Sequence, residues 1–179
     1  MSKNLMKLLL IACFSAPVAL STLLVGSASA ENESTPSAAV TTPHPRPVPG
    51  LGVTIGDTVA TVKEVFKTDL DPEPYRDSSS SPGDKKPRLY LNLRTKGIAF
   101  FFVDGEIDLI RIDAPSSTAI GGLQLGDTLG KLTQARGKPI RQWDFGDDDA
   151  HLYALDDEVY VRYDVGKKSK EIVRIFLFK

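Results

Sequence analysis

Cysteine and histidine are nearly missing from this chain. Its 179 residues include a single cysteine, Cys13, and two histidines, His44 and His151. That scarcity removes the material for zinc-finger, iron–sulfur, haem and Cys–His catalytic centres. Net charge is nearly missing too: 22 basic residues face 23 acidic ones, a formal charge of -1. Such a chain has no bulk attraction for nucleic acid, so no nucleic-acid partner is expected. No catalytic motif is recognisable. Asp144-Phe145-Gly146 lacks the glycine-rich and catalytic loops that a kinase carries upstream of it. No cofactor is expected. What remains is ordinary for a globular protein, with 41% hydrophobic, 25% charged and 8% aromatic residues. Function is therefore read as binding, without enzymatic activity.

Residues 1–30 read as a signal peptide. Lys3 and Lys7 give a basic start, an apolar run begins at Leu8, and Ala28-Ser29-Ala30 supplies the small residues of a cleavage site. Cleavage removes two lysines and no acid, so the charge moves from -1 to -3 and no cysteine is left for a disulfide. Two alternatives stay open. Leu10-Ile11-Ala12-Cys13 resembles a lipobox, which would make Cys13 a lipidated first residue and tether the chain to a membrane. An uncleaved run from Leu8 to Ala30 is also long enough to span a bilayer. Residues 31–49 hold Pro36, Pro43, Pro45, Pro47 and Pro49 among small polar residues, and read as a disordered tether. The expected setting is the periplasm or the medium.

From about Gly50 onward the sequence repeats itself. Gly52-Val53-Thr54-Ile55-Gly56-Asp57-Thr58 matches Gly122-Leu123-Gln124-Leu125-Gly126-Asp127-Thr128, with the Gly-Asp-Thr triplets seventy positions apart. Asp57 or Thr58, and Asp127 or Thr128, suit a helix N-cap. Val59, Val62, Val65 and Phe66 then fall at helical spacing, as do Leu129, Leu132 and Ala135. Each helix runs into proline, at Pro72 and Pro139. Three strand-like segments follow in each half: 89–93, 97–102 and 107–112, then 151–155, 158–163 and 172–178. Asp104-Gly105 marks a hairpin. The segment 72–87 reads as a mobile insertion. The expected fold class is α+β: two tandem repeats of one helix plus three antiparallel strands, 50–119 and 120–179. Together they form one folded body with a joint sheet and the helices on one face. This punctuation resembles the BamE/SmpA-type envelope repeat, and its duplication resembles the β-lactamase inhibitory protein (BLIP-like) fold. The resemblance implies a concave sheet that grips a protein partner.

Strand alternation assigns Tyr90, Phe101, Tyr153, Tyr160, Arg162 and Phe176 to the helix-free face as candidate partner-binding residues. Two accounts stay open. A partner covers these aromatics, or two units, or two copies in a homodimer, bury them against each other. Lys85, Lys86 and Arg88 in the basic first half, and Asp147, Asp148 and Asp149 in the acidic second half, are candidates for charge steering. The acidic run 144–149 lacks the spacing of a calcium loop, so no metal is assigned. The functional reading is an exported inhibitor or immunity protein acting on another envelope or secreted protein. An envelope-assembly scaffold and a hydrolase using the 144–151 segment with His151 are the alternatives. The export reading makes a definite prediction. The intact mass of the exported protein should correspond to a chain starting at Glu31; a mass for an acylated chain starting at Cys13 would refute it.

Overall fold

A computed structural model describes residues 48, 50–75, 87–156 and 158–179. The signal, lipobox and anchor readings lie outside these residues, as do Lys85 and Lys86. The described residues form one compact unit. Val48, within the stretch read as tether, belongs to that body: it is buried, and its amide donates to the Val53 carbonyl at 3.1 Å.

Among the described residues there are two α-helices, α1 (Val59–Phe66) and α2 (Leu129–Arg136). They accompany strands β1 (Glu73–Pro74), β2 (Leu89–Leu93), β3 (Ile98–Val103), β4 (Glu106–Ile112), β5 (Arg141–Phe145), β6 (Asp148–Ala154), β7 (Tyr160–Gly166) and β8 (Ile172–Phe178). All eight form one antiparallel sheet in the order β1-β2-β3-β4-β8-β7-β6-β5. This corrects the expectation of two tandem helix-plus-three-strand repeats. The molecule is mostly sheet, and the sheet runs unbroken across the expected boundary through the pairs Leu109–Phe178, Ile110–Leu177, Arg111–Phe176 and Ile112–Ile175. Two strands were missed in counting three per half. Glu73–Pro74 pairs with Tyr90 and Leu89 inside the segment read as an insertion, and Arg141–Phe145 pairs with β6 where an acidic loop was read. Both are edge strands, whose formation depends on a neighbour more than on their own composition.

The local signals explain the helix starts. Thr58 and Thr128 are the N-caps, each accepting from the amide three residues on, Thr61 and Lys131, at 3.3 Å. The aspartates face the other way. Asp57 accepts from the Thr54 amide at 2.7 Å and Asp127 from the Gln124 amide at 2.9 Å, closing the turn ahead of the cap. Gly56 and Gly126 have φ of +93° and +84°, where a side chain would be strained. Their amides reach Ile107 and Ile172 carbonyls at 2.8 Å, so each turn docks at the start of β4 or β8.

Alternation along the strands puts Leu91, Leu93, Ile98, Phe100, Phe102, Ile110, Ile112, Val161, Tyr163, Ile175 and Leu177 into the core. Val62, Leu132 and the segments before each helix cover them, and Phe66 meets Phe100 at 5.2 Å between centroids. The Tyr163 hydroxyl donates to the buried Ile120 carbonyl at 2.9 Å. Thermal or denaturant unfolding of Thr58→Ala and Thr128→Ala should each show a loss of about 0.5–2 kcal/mol. Gly97→Ala should cost more than either, because φ is +63° there and an added Cβ would fall 2.2 Å from the Asp113 carbonyl oxygen.

Candidate protein-binding face

The strand registers sort the helix-free side into three cross-strand rows. The first is apolar and aromatic: Tyr90, Phe101, Leu109, Phe178, Tyr160 and Ala154 are successive partners from β2 to β6. The second runs Asn92, Ala99, Arg111, Phe176, Arg162, Leu152 and Arg141, ending on β5. The third runs Arg174, Asp164, Ala150 and Trp143. Arginines therefore sit between rings on one side and carboxylates on the other.

The carboxylates tie the arginines together across β4, β8 and β7. Arg111 Nε donates to Asp113 Oδ2 at 2.7 Å, and Arg174 Nε donates to Asp113 Oδ1 at 3.0 Å. Arg174 also reaches Asp164 at 3.4 Å. Arg162 Nη2 donates to Asp164 Oδ2 at 3.0 Å, while its Nε lies 2.9 Å from Oδ1 as an ion pair without hydrogen-bond alignment. Asp164 is fully buried. Burial pushes its carboxyl above the usual range, and Arg162 and Arg174 oppose that shift. The rings complete the cage. Arg162 lies 3.9 Å from the Phe176 centroid, 5.0 Å from Phe145 and 5.8 Å from Trp143, so the cation is held by π faces as well as by charge. Arg141 rests on Trp143 at 5.3 Å and Arg111 on Phe101 at 5.8 Å.

Of the expected partner-binding residues, the structure brings Tyr90, Phe101, Tyr160, Arg162 and Phe176 onto this face. Tyr153 is a correction. Its register partner is Val161, which places it in the core, and its ring meets Tyr163 at 6.0 Å. Phe101 is on the face but only 5% exposed, because Tyr75 and Tyr90 pack on it at 5.0 Å each. Tyr160 is 39% exposed, beside Phe178 at 6.2 Å. Trp143 and Phe145 were missed because they lie in β5, and Asp113 and Asp164 because ion pairs across strands have no sequence spacing. Alternation around Arg111 and Arg174 was the signal available for the arginines.

The steering candidates are scattered. Arg88 pairs with Asp108 at 2.5 Å. Asp148 pairs in register with Phe145 and Gly166, while Asp147 and Asp149 stand on either side of it in the β5–β6 hairpin. Lys167 bonds Asp144 and holds its carboxyl below the usual range. His151, proposed for a hydrolase together with this segment, is 95% buried with Nε2 unpartnered, opposite Tyr163 in register. Among the described residues no three His, Cys, Asp or Glu side chains converge as a metal would need.

No protein-family model and no curated protein matches the sequence. Two solved structures share the fold. A cysteine-rich secretory protein from Staphylococcus aureus has 13% identity and a TM-score of 0.50, over 75% of this chain and 48% of that one. An extracellular protein containing an SCP domain from Bacillus anthracis has 9% identity and a TM-score of 0.52, over 81% of this chain and 49% of that one. The chain thus spans about half the length of the proteins it matches. These matches correct the BamE/SmpA-type and β-lactamase-inhibitor resemblances, including the tandem repeat they implied. A Gly-Asp-Thr turn encodes a cap and a docking turn, and such punctuation is too local to define a family.

Burial lowers the His151 pKa, with Asp149 and Asp164 opposing. The native state therefore takes up a proton less readily than the unfolded chain. The contribution to stability is complete above the unfolded pKa of about 6.5 and is lost as pH falls below it. Unfolding free energy measured against His151→Phe should show a difference that rises between about pH 5 and 7. A flat difference would remove His151 from the acid sensitivity.

Proposed function

We propose that this protein is an exported, non-enzymatic protein-binding module whose working surface is the helix-free face of the sheet. The observation that carries this reading is a sheet face filled with rings and arginines where a solvated face would alternate small polar residues. Aromatic and arginine side chains are the usual anchors of protein interfaces. Their geometry is already fixed by the Asp113 and Asp164 bridges, so little side-chain entropy remains to be lost on binding. Inhibition of, or immunity to, another secreted or envelope protein fits a small module of this kind, and an assembly scaffold is the competing role. The secretory and extracellular descriptions of the two fold neighbours support export.

Capture of a partner from the envelope and secreted fractions with the mature protein tests the reading, followed by alanine variants. Tyr160→Ala should weaken capture by about 2 kcal/mol or more with little change in melting temperature, and Tyr90→Ala should weaken it similarly while also lowering the melting temperature, because it uncovers Phe101. Phe101→Ala should instead lower stability by about 3–5 kcal/mol, since that ring is packed like core. Normal capture by both tyrosine variants would overturn the assignment of this face.

A further inference from the structure

Beyond the pairs already described, one corner of the face has more cations than unpaired acids. Asn92, Arg94, Gly97, Arg111, Asp113 and Ala114 line a pocket of about 290 Å³ at the end of β2. Arg94 makes no ion pair among the described residues and is exposed. Arg111 spends Nε on Asp113 and reaches the Tyr90 hydroxyl with Nη2 only at 3.5 Å, leaving N–H groups uncommitted. The one carboxylate in the pocket, Asp113, is already bound by both Arg111 and Arg174. A neighbouring groove of about 550 Å³ shares Asn92 and Arg94 and adds Lys67, Lys96, Asp71 and Glu73. Asp71 is taken by Lys63 at 2.5 Å. Lys67, Arg94 and Lys96 are thus unmatched, against Glu73 alone. The floor beside them is the Tyr75, Tyr90 and Phe101 cluster.

We propose that this corner accepts a carboxylate side chain of the protein partner, held by Arg94, Arg111 and the Asn92 amide while an adjacent apolar side chain rests on Tyr75 and Tyr90. The proposal rests on the binding role of the face and adds the chemistry of its occupant, an acidic segment that interleaves Asp or Glu with apolar residues. The warrant is charge complementarity. A surplus of planar guanidinium donors next to an aromatic shelf fits a carboxylate by shape as well as sign. The pocket has room for the group and for bridging water, at about 30 Å³ per water.

The probes are the peptides acetyl-Glu-Phe-Glu-Phe-amide and acetyl-Gln-Phe-Gln-Phe-amide, titrated into the mature protein while the arginine Nε–H signals are followed by NMR. The acidic peptide should shift the Arg94 and Arg111 signals and bind about tenfold tighter than its glutamine analogue, with the advantage shrinking at high salt. Arg94→Gln, which removes no internal contact, should abolish that advantage and leave melting unchanged. Equal binding of the two peptides, absent shifts at Arg94 and Arg111, or an unaltered Arg94→Gln variant would overturn the proposal, as would no binding of either peptide. Capture of the cellular partner separates this failure from that of the wider reading. If Arg94→Gln captures normally while Tyr160→Ala does not, the face stands and the carboxylate pocket falls.

Discussion

Four residue pairs join β4 to β8, and the continuous helix-free face exists because they do. Without them β4 and β8 would each present an unpaired edge, and the backbone groups there would have no partners. With them, the two strands bring Arg111 beside Phe176 and put Asp113 within reach of Arg174. The seam therefore creates the surface on one side and closes the core on the other, where Ile110, Ile112, Ile175 and Leu177 pack under the helices.

The same seam explains why charge is tolerated there. A carboxylate as buried as Asp164 would cost several kcal/mol if left alone. Arg162 and Arg174 reach it from β7 and β8, and the rings of Phe176, Phe145 and Trp143 shield Arg162 from solvent. Removing one partner would strand the other in a dry site, so the network holds its members in a single arrangement more than it adds net stability. The rings and guanidinium groups of this face are therefore held in place by the network, with little side-chain freedom left to them.

The two sides of the sheet also divide polar chemistry between them. His151, Tyr153 and Tyr163 lie on the helix side, where burial lowers the histidine and raises the phenols. These groups stabilise packing and are withdrawn from solvent. The arginines lie on the opposite side, and among the described residues Arg94 is exposed and makes no ion pair.

Much of the local structure was legible in the sequence. Thr58 and Thr128 announce helices because a cap acts over three residues, and Asp104-Gly105 announces a hairpin because positive φ values, +55° and +86° here, suit those residue types. Alternation likewise separates Phe100 and Phe102 from Phe101. The strands β1 and β5 were not legible, since proline-flanked Glu73 and the charged run around Asp144 become strands only when β2 and β6 offer them partners. The face of Tyr153 was misassigned because alternation gives a period without a phase, and the register with Val161 sets the phase. Residue order alone determined where the chain turns and caps. Tertiary structure alone decided that β4 would meet β8, because strand pairing joins groups some sixty residues apart, Asp113 to Arg174 among them, and no short-range pattern encodes it.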